Sequence, residues 1–226
     1  MSYQWDFTPV VANAPLLAQG LVNTLKVTGV SLACGLALGL VLALLRLSRH
    51  RVASWPAGFV IEVFRTTPPL VQLFWFFFAL PLIVGIEMTP FMAAIVTFSI
   101  QSAAFFAEVF RAGIVSIERG QWDGALAIGM SRRQALARIV LPQAVKRMLP
   151  AFLERAIELM KTTTLVATIA YADLLFEANE ISQKTFRPLE TFTVVALIYF
   201  VVIFAFSLLA RQFERRLAVS GESTVH

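Results

Sequence analysis

Four stretches without a single Asp, Glu, Lys or Arg constrain this chain more than any other feature. They cover residues 27–45, 66–86, 88–107 and 191–210. Each comes close to the roughly 20 residues that an α-helix needs to cross about 30 Å of hydrocarbon. Only 15% of the 226 residues are charged and 58% are hydrophobic, against about 25% and 45–50% in an average soluble domain. Four such runs leave too little polar material for a soluble fold. The expected class is all-α, an integral membrane helical bundle in one domain over residues 1–226.

The opening residues, Met-Ser-Tyr-Gln-Trp-Asp, carry no basic segment, and the first apolar run lies too far in for a cleavable signal. That run is expected to be a retained span. Cys34 is the only cysteine, so no disulfide or cysteine-based metal site is expected within one chain. The formal charge of +5 is placed beside the apolar runs, an arrangement that fits membrane flanks and not nucleic acid.

Lys and Arg in short loops mark the cytoplasmic side. The first fifteen residues hold only Asp6, whereas Arg46, Arg49 and Arg51 follow the first run. Residues 82–90 carry only Glu87, while 112–147 carry Arg119, Arg132, Arg133, Arg138, Lys146 and Arg147. Arg211, Arg215 and Arg216 follow the last run. These charges put the N-terminus outside and the C-terminus in the cytoplasm. Four spans cannot join those ends, so a fifth is expected; residues 143–171 are the only stretch with enough helix-forming material to supply it, a surface-lying amphipathic helix being the alternative. The expected spans are therefore about 16–46, 57–86, 88–111, 143–171 and 190–210. Pro68 and Pro69 are expected to bend the second, with Arg65 and Glu62 in a structural role near its cytoplasmic end.

The fifth crossing is interrupted by charge. Wound as a helix, it places Arg147, Glu154, Glu158 and Lys161 within about 60° of one another. A charged stripe in a span turns toward protein or a watery cavity, because charge facing lipid is costly. Glu108, Glu154, Glu158 and Lys161 are the candidate residues of a substrate path. Arg155 lies about 80° round from the stripe's centre and is the weaker candidate for a carboxylate partner. Pairing among these charges, such as Glu158 with Lys161, is an equally open reading. Glu108 and Arg111 sit near the cytoplasmic boundary, as a gate or an anchor. Ser31, Gly35 and Gly39 put small residues at four-residue spacing in the first span, a pattern for close helix packing.

Residues 112–147 hold two short helices by their local signals. The first runs from Gly120 and stops at Gly129. Ser131 with Gln134 three residues on is a capping box that opens a second, expected to end before Pro142. Trp122, Leu126, Ile128, Met130 and Leu136 give the pair a mixed surface that suits a groove on a partner. Composition alone leaves a plain solvated loop equally open.

The spacing Asp123-Gly124-Ala125-x3-Gly129-x9-Ile139-x-Leu141-Pro142 resembles the EAA loop, Glu-Ala-Ala-x3-Gly-x9-Ile-x-Leu-Pro, of ATP-binding cassette (ABC) importer permeases. The stretches Phe64-Arg-Thr-Thr-Pro-Pro-Leu-Val-Gln-Leu73, Ala107-Glu-Val-Phe-Arg-Ala-Gly-Ile114 and Leu159-Met-Lys-Thr-Thr-Thr-Leu165 narrow the likeness to the polar amino acid permeases. The resemblance covers roughly residues 16–216, and it departs from the motif where Asp-Gly replaces Glu-Ala. It implies five spans, a coupling loop over about 114–142 and a non-catalytic subunit. Gly120, Asp123, Gly124, Ala125, Gly129, Ser131, Ile139, Leu141 and Pro142 would form the ATPase-coupling surface. The implied partners are two ATP-binding subunits, a second permease subunit, identical or paralogous, a periplasmic or lipid-anchored solute-binding protein, an amino acid cargo and membrane lipid. No cofactor, metal or nucleic acid is implied. The chain has no Gly-x4-Gly-Lys-Ser/Thr phosphate loop, so hydrolysis would fall to another polypeptide.

A membrane enzyme fares badly, since His50 and His226 are the only histidines, one in a basic loop and one at the terminus, and the chain has no His-Glu-x-x-His motif or Cys pair. A stand-alone secondary transporter would explain the intramembrane carboxylates but leaves the 112–147 helices without purpose. A structural membrane subunit is opposed only by the loop motif.

Overall fold

The computed structural model describes residues 3–218, with side chains as far as Gln212; His226 and the side chains of Arg215 and Arg216 lie outside that description. Every regular element among the described residues is helical. In chain order they are α1 (Thr8–Ala12), α2 (Ala14–Arg46), α3 (Arg51–Thr66), α4 (Pro69–Phe74), α5 (Leu80–Val84), α6 (Pro90–Val115), α7 (Arg119–Ala127), α8 (Arg132–Ala135), α9 (Leu141–Thr162), α10 (Leu174–Thr185) and α11 (Pro188–Ala218). A wide π-turn, Trp75–Ala79, joins α4 to α5, another, Leu136–Val140, joins α8 to α9, and a 3₁₀ stretch, Thr163–Ile169, extends α9.

Three helices are long and apolar enough to cross a membrane alone: α2, α6 and the Pro188–Gln212 part of α11. Two helix pairs pass the same test together but are bent at a break: Arg51–Thr66 meets Pro69–Val84 at 108°, and Arg132–Ile169 meets Leu174–Thr185 at 49°. Counting each bent pair as one span gives five candidate crossings, the number expected from loop charge.

The second crossing is broken far more sharply than a proline kink. Thr67 precedes Pro68, and Pro68 precedes Pro69, and the residue before a proline is pushed out of the helical region. Both adopt extended backbone, with ψ of 135° and 136°. Two extended residues in succession end α3, and Pro69 then opens α4 at a position where a missing N–H costs nothing. The Gln72 amide crosses the break, donating to Phe64 O at 3.0 Å and Thr67 O at 2.9 Å. It thereby satisfies carbonyls that the end of α3 leaves without helical partners.

The two π-turns share a cause. Each is followed directly by Leu-Pro, Leu80-Pro81 in one case and Leu141-Pro142 in the other. Proline offers no N–H to the carbonyl four residues back and collides with it. Widening the turn moves that carbonyl aside and keeps the helix running. The expectation that the second loop helix ends before Pro142 is corrected here: α8 continues through the π-turn into α9.

The Ser31, Gly35 and Gly39 row is buried and faces α6. A Cβ added at Gly35 would lie 2.6 Å from Ser102 Cβ, and one at Gly39 would lie 2.8 Å from Phe106 Cβ. The small residues let α2 and α6 approach within one chain. Around this contact Val27, Leu73, Phe98, Leu159 and Val166 form one apolar core, and Ile117, Val140, Ala144 and Met148 form another beside the loop.

One end of the bundle gathers the N-terminal segment and the connection before α11. Tyr3 Oη donates to Glu190 at 2.5 Å, the Asp6 amide to the same carboxylate at 3.0 Å, and Arg187 to Gln4 O at 2.9 Å. The α7–α8 loop lies at the opposite end, where Gln143 reaches Gln121 at 3.1 Å and Arg147 reaches Ser116 O at 2.5 Å.

Candidate functional site

Between α3, α6 and α9 lies a cleft made of two joined cavities, of about 240 Å³ and about 500 Å³. Arg65, Phe105 and Arg155 line both. The smaller cavity is closed by the double-proline turn on one side, Gln101 and Ser102 of α6 on another, and Glu158 and Thr162 of α9 on the third. The larger continues past Glu108, Gly113 and Met148 to Ser116 and Arg147, beside the loop. The larger volume lies within the roughly 300–1,000 Å³ of small-molecule sites, and the smaller falls just below it.

Each wall follows from local sequence. The break at residues 67–69 leaves Arg65 in the last turn of α3, aimed across the cleft. Gln101, Ser102 and Phe105 occupy one face of α6 at three- and four-residue spacing. The Thr162 hydroxyl bonds to Glu158 O at 2.9 Å, and Thr163 and Thr164 bond three residues back at 2.8 Å each. Such back-bonds draw the chain toward a tighter turn, which matches the passage from α9 into 3₁₀ geometry there.

The charges are arranged around one ring. The Arg155 guanidinium lies over Phe105, 3.3 Å from the ring centroid, and that of Arg65 lies 5.7 Å from it. A guanidinium over an aromatic face is stabilised by the ring's quadrupole. Arg155 also pairs with Glu158. Arg65 is exposed and has no ion pair among the described residues. Lower down, Arg111 grips Glu108 with two nitrogens at 2.7 and 2.9 Å.

Of the residues singled out in the sequence, Glu158 lines the upper cavity and Glu108 the lower. Glu154 and Lys161 are exposed on α9 and line neither. Two arginines given less weight stand at the centre. Arg155, off the axis of the charged stripe, reaches into the cleft, and Arg65 faces it without pairing with Glu62. The available signal was the double proline, which ends α3 at Thr66, one residue beyond Arg65.

The α7–α8 loop is built as its local signals dictate. Gly129 takes a φ of 84°, a conformation glycine adopts without a Cβ penalty. The Met130 amide donates to Ala125 O at 3.1 Å and the Gly129 amide to Leu126 O at 3.0 Å, the paired bonds of a Schellman cap. The Ser131 capping box is complete, with bonds of 2.9 and 3.3 Å to and from Gln134. Ala125 and Ala135 are buried, Ile139 is half-buried, and Trp122 packs on the lower core. Gly120, Asp123, Gly124, Ser131, Leu141 and Pro142 are exposed, and Ile128 is 72% exposed at the tip. An ordered, capped helical hairpin thus presents an acidic residue and an apolar tip to the outside.

Residues 35–219 match the family described as binding-protein-dependent transport system inner membrane component. The chain belongs to that family. The arginine transport system permease protein ArtQ of Bacillus subtilis is 36% identical over 212 residues, which cover 94% of this chain and 97% of that protein. The glutamate/aspartate import permease protein GltK of Escherichia coli O6:H1 is 35% identical over 223 residues, covering 96% of this chain and all of GltK. A crystal structure of an amino acid ABC transporter shares 36% identity, spans 95% of this chain and 100% of its own, and superposes with a TM-score of 0.90. The EAA loop at 123–142 is typical of the family. This member is accordingly a multi-pass permease subunit of a bacterial ABC importer, resident in the inner membrane, and a transport subunit.

Proposed function

We propose that the chain, with a second permease subunit, forms the path by which a polar amino acid enters the cytoplasm, and that ATP is hydrolysed on separate subunits docked at the α7–α8 loop. The observation that carries this reading is the cleft, whose upper part offers both guanidinium donors and a carboxylate acceptor. An amino acid bears a carboxylate and an ammonium, and a polar site must answer both. Arg65 and Arg155 are donors for the first, Glu158 is an acceptor for the second, and Gln101, Ser102 and Thr162 complete the polar wall.

The cleft reaches Ser116 and Arg147, which abut the start of the coupling loop, so a loop displacement has a short route to the cavity. The exposed surface of that loop, from Gly120 through Asp123, Gly124, Gly129 and Ser131 to Leu141 and Pro142, is the docking face for an ATP-binding subunit, two of which serve the pair of permease subunits. Ala125 and Ile139 support it from within. ATP-driven closure of those subunits shifts the cleft between two states of different affinity. A solute-binding protein delivers cargo at the opposite end, near Tyr3 and Arg187, which is the outer face. The C-terminus is then cytoplasmic.

Affinity purification of the tagged chain from membranes, with partners identified by mass spectrometry, tests this. An ATP-binding subunit is expected with the native chain and is expected to be lost from Asp123→Lys, an exposed position whose substitution leaves the bundle intact. Recovery of the folded chain without any ATP-binding subunit overturns the reading.

A further inference from the structure

The two relatives named above carry cargo of opposite charge at nearly equal identity, so likeness leaves the charge of this chain's cargo open. The cleft itself settles more. Its upper cavity is lined by two guanidiniums, Arg65 and Arg155, and one carboxylate, Glu158. The neutral lining adds hydroxyls and an amide and no further charge. A zwitterionic amino acid of zero net charge leaves one positive charge answered by solvent alone, where a second carboxylate would give it a charge-assisted pair. A cationic cargo leaves two.

We propose that the cavity selects an amino acid bearing a second carboxylate: one arginine and Glu158 answer the backbone carboxylate and ammonium, and the other arginine answers the side-chain carboxylate. This rests on the amino acid permease reading above. The geometry fits. Both guanidiniums are placed by the same ring, so they are no farther apart than the 3.3 and 5.7 Å centroid distances laid end to end. Two carboxylates on a short aliphatic chain span that interval once each is held by a planar fork. The surplus does not depend on where the boundary is drawn. Glu154 and Lys161, outside the cavity, cancel each other in sign, and Glu108 is held by Arg111. Arg147, farther down, adds another positive charge. Nor does it depend on pairing, since the Arg155–Glu158 pair leaves Arg65 unanswered just as a bound ammonium leaves a second carboxylate to be taken.

The test uses the complete purified transporter in nanodiscs without its solute-binding protein, so that selectivity measured is that of the permease. Equilibrium binding of radiolabelled L-glutamate, L-glutamine and L-arginine is compared. Glutamate is expected to bind at least about tenfold more tightly than glutamine, with arginine weakest, since a charge-assisted pair is worth about that factor. Arg65→Gln or Arg155→Gln is expected to reduce the glutamate-to-glutamine ratio about tenfold, and Lys at the same position to restore part of it. Arg65 is exposed, so its replacement does not threaten folding. Glutamine or arginine binding as tightly as glutamate overturns the anionic cargo while leaving the amino acid reading in place. An unchanged ratio in both Gln variants overturns the role of the arginines. Binding of none of the three overturns the amino acid reading, and the inference falls with it.

Discussion

Replacing Gly35 with alanine tests whether the α2–α6 contact sets the shape of the cleft. The new Cβ would sit 2.6 Å from Ser102 Cβ and 3.3 Å from Ser99 O. Carbon atoms rest at about 3.5–4.0 Å, so the helices must part by roughly 1 Å or the backbone must shift. Overpacking of a close interior contact costs about 1–3 kcal/mol. At about 2–4 °C per kcal/mol for a chain of this size, the melting temperature of the detergent-solubilised protein falls by about 2–12 °C. Fluorescence-detected size exclusion after a heating series measures this. Ser102→Gly removes the atom that the new methyl strikes, and Ser102 also lines the upper cavity. The double variant is therefore expected to recover part of the loss, with a coupling of about 1–2 kcal/mol, within the range for residues in contact. The Ser102→Gly single variant separates out the helix cost of a new glycine, about 1 kcal/mol. A Gly35→Ala protein as stable as wild type, or a double variant whose losses simply add, refutes the packing argument.

Three other outcomes follow from single positions. Gly124→Ala restores the motif's alanine at a site where a Cβ meets nothing within 4 Å; it is expected to stabilise α7 by about 0.8–1 kcal/mol, seen as slower amide exchange in α7. Gln72→Leu strips the Phe64 and Thr67 carbonyls of their shared donor at a buried position, costing about 1–3 kcal/mol and loosening the turn that aims Arg65; a lower melting temperature with weaker cargo binding checks it, and no change in either counts against it. The Asp6 carboxyl lies below its ordinary value because the Thr8 hydroxyl and amide donate to it. A lowered folded value means that its contribution is present at neutral pH and is lost as pH falls below the usual carboxylate range. Acidification below the usual carboxylate range should therefore loosen the Asp6–Thr8 contact at the start of α1 and change the fluorescence of the neighbouring Trp5, and Asp6→Asn should remove that step.

Much of the candidate site was legible only in outline. The charged stripe on α9 pointed to the helix that walls the cleft and to Glu158, which lines it, yet an isolated helix has no neighbours, and angle alone cannot say which side they occupy. Arg155 reaches the cleft because Phe105 of α6 lies beside it. Arg65 reaches it because two extended residues turn α3 through 108°, where a simple bent span would have kept it at the end of the second crossing.

The sequence by itself determined the membrane class, the charge argument for five crossings, the family motif and the caps at Gly129 and Ser131. These depend on hydrocarbon thickness, on loop charge, or on atoms within six residues of one another, all of which are fixed before any helix meets another. The tertiary structure alone decided that the small residues of α2 pack against α6 within the chain, that Pro142 is bridged by a π-turn, and that two arginines and one glutamate share a cavity. Those outcomes depend on which surfaces face each other across helices, and the physical reason they stay hidden in the sequence is that contact between distant segments is set by packing the whole bundle at once.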